Sequence, residues 1–142
     1  MGIEEASRRD QILRSYIGGR DWDPSAEFQL VRALVSGSQR LLPDHPYVFD
    51  YEWPAGGIKG DLLFSDGSNS FAVVEVKSTE GAGNRTDRRN HVERQAIRCA
   101  EGVARQFPGA AVLAYVYTDD PAFPGLRRAD APRARGVTLD EA

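Results

Sequence analysis

The sequence predicts an α/β fold in which a mixed central β-sheet is flanked by helices. Hydrophobic periodicity and turn residues give the element order helix, helix, strand, strand, strand, helix, strand (ααβββαβ). The last helix stands between two apolar strands, and such a crossover predicts that these strands are parallel, with a right-handed connection. With 142 residues, the chain is long enough for one domain with its own core.

Two helices are predicted before the first strand. The first covers residues 4–17 and ends at Gly18-Gly19. Its apolar residues recur at helical spacing: Ile12, Leu13, Tyr16 and Ile17. The second begins with Asp23 as N-cap and Pro24 in the first helical position, runs to about Val35 and is ended by Gly37.

The remaining elements alternate strand signals with turn signals. Strands are predicted over residues 47–53, 58–64 and 71–77, and the last two form a hairpin around the polar loop 65–70. A helix over 88–107 carries an apolar stripe, and the apolar segment 111–117 is typical of a buried strand. The stripe consists of Val92, Ala96, Cys99, Val103 and Phe107. We therefore divide the chain into a domain, 1–118, and a Pro/Arg-rich tail, 119–142, that is partly disordered.

Composition and charge exclude several classes of protein. Cys99 is the only cysteine, which excludes an internal disulfide and a Cys-based zinc site, and two histidines are too few for a His cluster. No apolar run approaches the ~20 residues that span a bilayer, and the N-terminus has no apolar signal core. We expect a soluble intracellular protein, cytoplasmic or in the nucleoid or nucleus, without a membrane partner. The net charge of −3 argues against coating nucleic acid over the whole surface, but it leaves room for a local basic patch.

The hairpin contains three charged residues in otherwise apolar strands. If its loop is centred on Ser68, Asp61 lies opposite Glu75, with Cβ atoms ~5 Å apart on the same face. Lys77 shares the face of Glu75 because side chains alternate along a strand. The opposite face then receives only apolar residues, and a slip of one residue would destroy both patterns. This register therefore gathers Asp61, Glu75 and Lys77.

Two carboxylates at close quarters repel unless a cation lies between them. A hard divalent ion such as Mg²⁺ takes one or two carboxylates, and the carbonyl of Val76 could be a further ligand. Lys77 would then orient a water molecule or stabilise negative charge on a phosphate. The alternative is an exposed cross-strand ion pair of Lys77 with Glu75 or Asp61, which contributes little to stability.

Two residues on the predicted helices could join the site. Glu27 shares the helical face of Leu30, Val31 and Leu34, where an acid needs a partner such as the metal cluster. Alternatively, it is a solvated first-turn acid that the helix dipole favours. Gln95 lies on the inner stripe of its helix, where it could bond a metal-bound water, Lys77 or a phosphate. Its alternative is an edge residue bonded to backbone.

The segment between the hairpin and the next helix is strongly basic. Its arginines could position a phosphate backbone near the site without reading its sequence, or they could belong to a solvated helix start. They are Arg85, Arg88, Arg89 and Arg94. The tail segment RRADAPRAR could add a weak second contact.

The order of these residues resembles that of the PD-(D/E)XK nuclease superfamily. The matching positions are Glu27 on a helix, Gly60-Asp61, Glu75-Val76-Lys77 and a trailing Gln95. Within the superfamily, the chain is similar to small stand-alone members such as archaeal Holliday junction resolvases, virus-type replication-repair nucleases and RecB-type nuclease modules. Gly60 replaces the proline of the signature, and no substrate-specificity insertion is recognisable.

The resemblance implies a restriction-endonuclease-like core and Mg²⁺- or Mn²⁺-dependent hydrolysis of phosphodiester bonds. By position, Asp61 and Glu75 would be metal ligands, and Lys77 would orient the attacking water or stabilise the transition state. Glu27 would be an accessory acid, and Gln95 would match the auxiliary glutamine.

We expect DNA as the substrate, in repair, recombination or defence, and RNA remains an alternative. Three other functions stay open on the sequence alone. They are a catalytically inactive nucleic-acid-binding module, a toxin-like or immunity-type interaction protein, and one subunit of a larger nuclease complex. A homodimer would suit cleavage of two strands, because a twofold axis places two sites on them.

Overall fold

The computed structural model describes residues 2–52, 54–55, 58–81 and 83–129. The described helices are α1 (Ile3–Gly19), α2 (Ala26–Ser36), α3 (Ser38–Leu41) and α4 (Arg85–Gln106). The described strands are β1 (Tyr47–Tyr51), β2 (Pro54–Ala55), β3 (Ile58–Lys59), β4 (Leu62–Ser65), β5 (Ser70–Lys77), β6 (Ala111–Thr118) and β7 (Gly125–Arg128).

The main sheet has five strands in the order β1-β4-β5-β6-β7. Strands β5 and β6 are parallel and are joined by α4, whereas the other neighbouring pairs are antiparallel. This confirms an α/β fold with a mixed sheet and a parallel last crossover. The short strands β2 and β3 pair separately as a small antiparallel ribbon.

The sheet separates two apolar layers. On one face, α1 and α2 cover the even-numbered residues of β4 and β5 through Ile17, Phe28 and Leu34, which are buried. On the other face, α4 covers the odd-numbered residues through Cys99 and Val103. Because strand side chains alternate, the same two strands supply both layers. Glu75 therefore projects from the α4 side of β5 while remaining 1% exposed.

Helix α2 begins two residues later than the sequence predicted. Ser25 is the N-cap, and its hydroxyl accepts a hydrogen bond from the N–H of Phe28 at 3.3 Å. Asp23 instead accepts from the N–H of Ser25 at 2.9 Å and pairs with Arg20 at 3.0 Å. The expectation of an Asp23 cap with Pro24 inside the helix was wrong, because this local side-chain bond forms a turn that competes with the helix.

Helix α4 begins one turn earlier than predicted, because the side chain of Asn84 caps it by accepting from the N–H of Asp87 at 3.0 Å. Its predicted apolar stripe is buried from Val92 to Val103. The opposite face carries exposed charged residues, as is typical of an amphipathic helix that packs against a sheet. In the part of the chain that the structure describes, no helix has the length and apolar character needed to cross a membrane.

Three strand assignments differ from expectation. The predicted strand 58–64 is divided into β3 and β4, with Gly60 and Asp61 between them. The first strand ends at Tyr51, and Trp53, which was assigned to it, lies outside the described residues. The structure adds β7, which pairs with β6 inside the segment that was assigned to the tail. Residues 130–142 of that tail also lie outside the described residues.

Arg14 ties α1 to the segment between α2 and β1. Its guanidinium donates to the carbonyl of Val35, to the hydroxyl of Ser38 at 2.7 Å and to the carbonyl of Pro46 at 3.1 Å. Nε donates to Asp10 at 2.9 Å, and Asp10 in turn accepts from the N–H of Val48 at 2.8 Å. One side chain thus satisfies acceptors in three separate segments.

We expect Arg14→Met to lower the free energy of unfolding by about 2–3 kcal/mol, because buried acceptors lose a charged donor while the apolar stem is kept. Urea denaturation followed by circular dichroism measures this. The exposed Arg8 on the same helix provides the control, since Arg8→Met should change stability by less than about 0.5 kcal/mol. Equal effects of the two substitutions would show that Arg14 does not hold these segments.

Candidate functional site

The predicted hairpin register is confirmed. Strands β4 and β5 pair Leu62 with Val74, Leu63 with Val73 and Phe64 with Ala72, which centres the loop on Ser68. Asp61 immediately precedes β4 and lies beside Glu75 in continuation of this register. Its carbonyl accepts from the N–H of Glu52 at 2.9 Å. The pairing of the apolar residues in the hairpin therefore brings Asp61 beside Glu75.

Asp61, Glu75 and Gln95 form one hydrogen-bonded cluster. The N–H of Asp61 donates to Oε2 of Glu75 at 3.0 Å, and Nε2 of Gln95 donates to Oε1 of Glu75 at 3.0 Å. Oδ2 of Asp61 accepts from the N–H of Val76 at 2.8 Å. The two carboxyl groups are close enough for each to affect the pKa of the other.

The electrostatics of the cluster follow from its burial. Burial and, next, the adjacent charge of Asp61 raise the pKa of Glu75 to about 8. Burial likewise raises the pKa of Asp61, and hydrogen bonds from Val76 and Glu75 oppose this shift. Burial, followed by the charge of Glu75, raises the pKa of the neighbouring Cys99 thiol to about 12, so the thiol stays protonated and inert. In the absence of a cation, burial therefore favours the protonated forms of the Asp61 and Glu75 carboxyl groups.

Lys77 and Glu27 meet at the end of the sheet. The ammonium of Lys77 lies 3.0 Å from Oε2 of Glu27, with the two side chains 34% and 46% exposed. Lys77 is the last residue of β5, so its side chain can reach α2 on the opposite face from Glu75. The described ion pair of Lys77 is with Glu27. Of the three hairpin charges that the sequence predicted to lie together, the described hydrogen bonds join Asp61 and Glu75. Glu27 is a half-exposed acid that holds the lysine.

A cavity of about 170 Å³ connects the two groups, since both Asp61 and Glu27 line it. Its wall includes three residues that no sequence pattern predicted to lie there: Arg20, Tyr51 and Glu52. Nη1 of Arg20 donates to the hydroxyl of Tyr51 at 2.9 Å. These residues come from the end of α1 and of β1, so only the tertiary arrangement brings them to the site, and no local pattern marks them.

The two carboxyl groups suit a hard divalent cation that takes few of its ligands from the protein. In the described residues, no group of three or more His, Cys, Asp or Glu side chains is placed to hold a metal ion. Asp61 and Glu75 are nonetheless a carboxylate pair whose charges burial destabilises, which a cation would offset. Mg²⁺ is typically bound through one or two carboxylates, with water or phosphate oxygens completing the shell. The pair therefore fits Mg²⁺ or Mn²⁺ in that mode.

The four arginines predicted to contact nucleic acid have different surroundings. Arg89 pairs with the buried Asp120 at 2.7 Å and stacks on Phe123 at 4.6 Å. Arg88 donates to the carbonyl of Ser78 at 3.3 Å. Arg85 and Arg94 are exposed. Arg89 is therefore committed to joining α4 to the segment after β6, whereas Arg85 and Arg94 present their charge to solvent.

Comparisons of the chain with models of known protein families, with curated proteins and with solved structures found no match. The resemblance to PD-(D/E)XK nucleases therefore rests on the order of the motif residues in the sequence.

Proposed function

We propose that this chain is a metal-dependent nuclease that hydrolyses phosphodiester bonds in DNA and has a restriction-endonuclease-like core. One observation supports this above all: the N–H of Asp61 donates to the carboxylate of Glu75, which is 1% exposed, and none of the described ion pairs places a cation between the two carboxyl groups. Such an arrangement is costly for folding alone. It is expected where two carboxylates are kept together to bind a cation.

Asp61 and Glu75, with the carbonyl of Val76, would hold Mg²⁺ or Mn²⁺. When bound, such an ion polarises the phosphate and lowers the pKa of its water. Gln95 fixes the orientation of Glu75 by donating to Oε1. The N–H of Val76 does the same for Asp61 by donating to Oδ2. Both carboxylates are thus oriented by neighbours in the way that metal ligands generally require.

Lys77 supplies a positive charge at the end of the strand that carries Glu75. Its ammonium is one residue beyond Val76, and Glu27 holds it at 3.0 Å. The pair is only half-buried, so the lysine can turn towards a phosphate oxygen without leaving a buried charge behind. There it would orient the attacking water or stabilise the charge that develops on the phosphate.

The proposal is tested with labelled single-stranded, duplex, flap and four-way-junction DNA, and with RNA of the same sequence, in Mn²⁺, Mg²⁺ or EDTA. We expect cleavage of DNA in either metal, none in EDTA and none by Glu75→Ala. Arg105→Ala, at an exposed position near the end of α4, serves as a control with full activity. Binding of DNA without cleavage in any metal would instead indicate an inactive nucleic-acid-binding module. Cleavage that survives Glu75→Ala would refute the assigned site.

A further inference from the structure

A groove runs along α4 beside the cluster of Asp61, Glu75 and Gln95. It encloses about 350 Å³ and is lined by His91, Arg94, Gln95 and Arg98. These positions share one face of the helix, because residues three, four and seven apart are neighbours there. Gln95 belongs both to the groove and to the cluster, since its amide donates to Glu75 at 3.0 Å. One side chain therefore separates the groove from the candidate metal ligands.

The positive charge of the groove is available to a ligand. Among the described residues, Arg94 and Arg98 form no ion pair, in contrast to Arg89 with Asp120 and Arg127 with Glu93. The described lining residues include no carboxylate, and the next acids in sequence on this helix face, Asp87 and Glu101, lie beyond its two ends. In a chain with a net charge of −3, a basic groove of this kind attracts anionic ligands in preference to cationic ones.

The spacing of the two arginines matches a chain of anions better than a single one. Arg94 and Arg98 are four residues apart, which is about 6 Å along the helix axis. Both side chains are exposed, so they can follow an extended ligand across the surface. Side chains of this kind contact backbone phosphates and position a strand without reading its bases.

We infer that this groove binds backbone phosphates of the DNA strand next to the bond that is cut, with Arg94 and Arg98 as the contacting residues. This inference rests on the proposed function and deepens it. It also changes the nucleic-acid surface predicted from the sequence, because it adds Arg98 and removes Arg89. The stacked and paired Arg89 is held by Asp120 and Phe123.

The test measures binding of a fluorescein-labelled 20-nucleotide single strand and its duplex in EDTA, where we expect no cleavage. Each lost phosphate contact lowers the slope of log K against log salt by about 0.9 for duplex and about 0.7 for single-stranded DNA. Arg94→Gln and Arg98→Gln should each produce this change and weaken binding roughly tenfold at 0.1 M salt. The double variant should lose about twice the slope.

Arg8→Gln is the matched control, because it removes one exposed arginine from α1 and changes the net charge equally. A loss confined to the α4 variants supports the groove. Equal losses in all three variants would show an effect of net charge alone and overturn the inference, as would unchanged binding in Arg94→Gln and Arg98→Gln.

Cleavage assays on the same samples separate the two proposals. If the wild type cleaves DNA and the variants bind DNA as well as the wild type does, the groove inference is refuted and the proposed nuclease activity stands. Groove-dependent binding without cleavage in any metal refutes the nuclease.

Discussion

Glu75→Gln is expected to lower metal-dependent cleavage by at least a hundredfold while making the metal-free protein more stable at pH 8. Loss of a residue that only orients a metal ligand typically costs about 10–100-fold, so loss of a ligand should cost at least about a hundredfold. The gain in stability arises because the substitution removes a buried charge next to Asp61. Substitution of a residue with a purely structural role would not lower activity and raise stability at the same time.

The sign of the stability change depends on pH. Glutamate normally has a pKa of 4.5, and in the folded, metal-free protein the pKa of Glu75 is raised to about 8. Below pH 4.5 both states are protonated, so no penalty exists. Between these values the unfolded chain releases the proton and the folded chain keeps it, so stability falls as pH rises. By pH 8 the penalty is roughly 2–4 kcal/mol.

Glutamine removes this penalty, but it offers one acceptor oxygen where glutamate offers two. The N–H of Asp61 or the amide of Gln95 then loses its acceptor, at a cost of about 1–3 kcal/mol. We therefore expect the two stability curves to cross, with Glu75→Gln less stable at pH 5 and more stable at pH 8. Urea denaturation in EDTA across this range measures the crossing. Parallel curves would mean that Glu75 does not carry a raised pKa.

Lys77→Met should lower cleavage by about 10²–10³-fold without preventing metal binding. Removal of one group that stabilises charge in a transition state typically has this effect. Stability should change by no more than about 1 kcal/mol, since the ion pair with Glu27 is half-exposed. The rise in melting temperature on adding Mn²⁺ reports metal binding and should be preserved, because Asp61 and Glu75 are intact.

Glu27→Gln separates a role in positioning Lys77 from a role as metal ligand. If Glu27 acts through Lys77, the single variant loses less activity than Lys77→Met, and the double variant is no worse than Lys77→Met alone. Multiplicative losses would show that the two residues act independently. Loss of the Mn²⁺-dependent rise in melting temperature in Glu27→Gln would make Glu27 a ligand.

The register of the hairpin could be predicted because both of its strands show the same alternation of side chains. Alternation in β4 and β5 gives one apolar and one mixed face in a single register, and every paired residue in the structure obeys it. Gln95 was found because it lies on the buried stripe of a long amphipathic helix. The parallel pairing of β5 and β6 follows from the crossover helix between them.

The features that were missed depend on tertiary contacts. Arg20 and Tyr51 reach the cavity only because α1 packs beside β1. The paired state of Arg89 depends on Asp120, which lies thirty-one residues further along the chain. Strand β7 is only four residues long, and its sequence, GLRR, contains little strand signal of its own; its described partner is β6. Asp23 failed as an N-cap because Ser25 competes for that role two residues later.

The most direct test is the structure of a crystal grown with Mn²⁺, with data collected at the manganese absorption edge. We predict an anomalous peak in contact with the carboxylates of both Asp61 and Glu75, and no such peak in Glu75→Gln crystals grown under the same conditions. Both proteins should keep the hairpin register centred on Ser68. A wild-type crystal with no peak at these carboxylates, at a Mn²⁺ concentration that supports cleavage, would contradict the assignment of Asp61 and Glu75 as the metal centre.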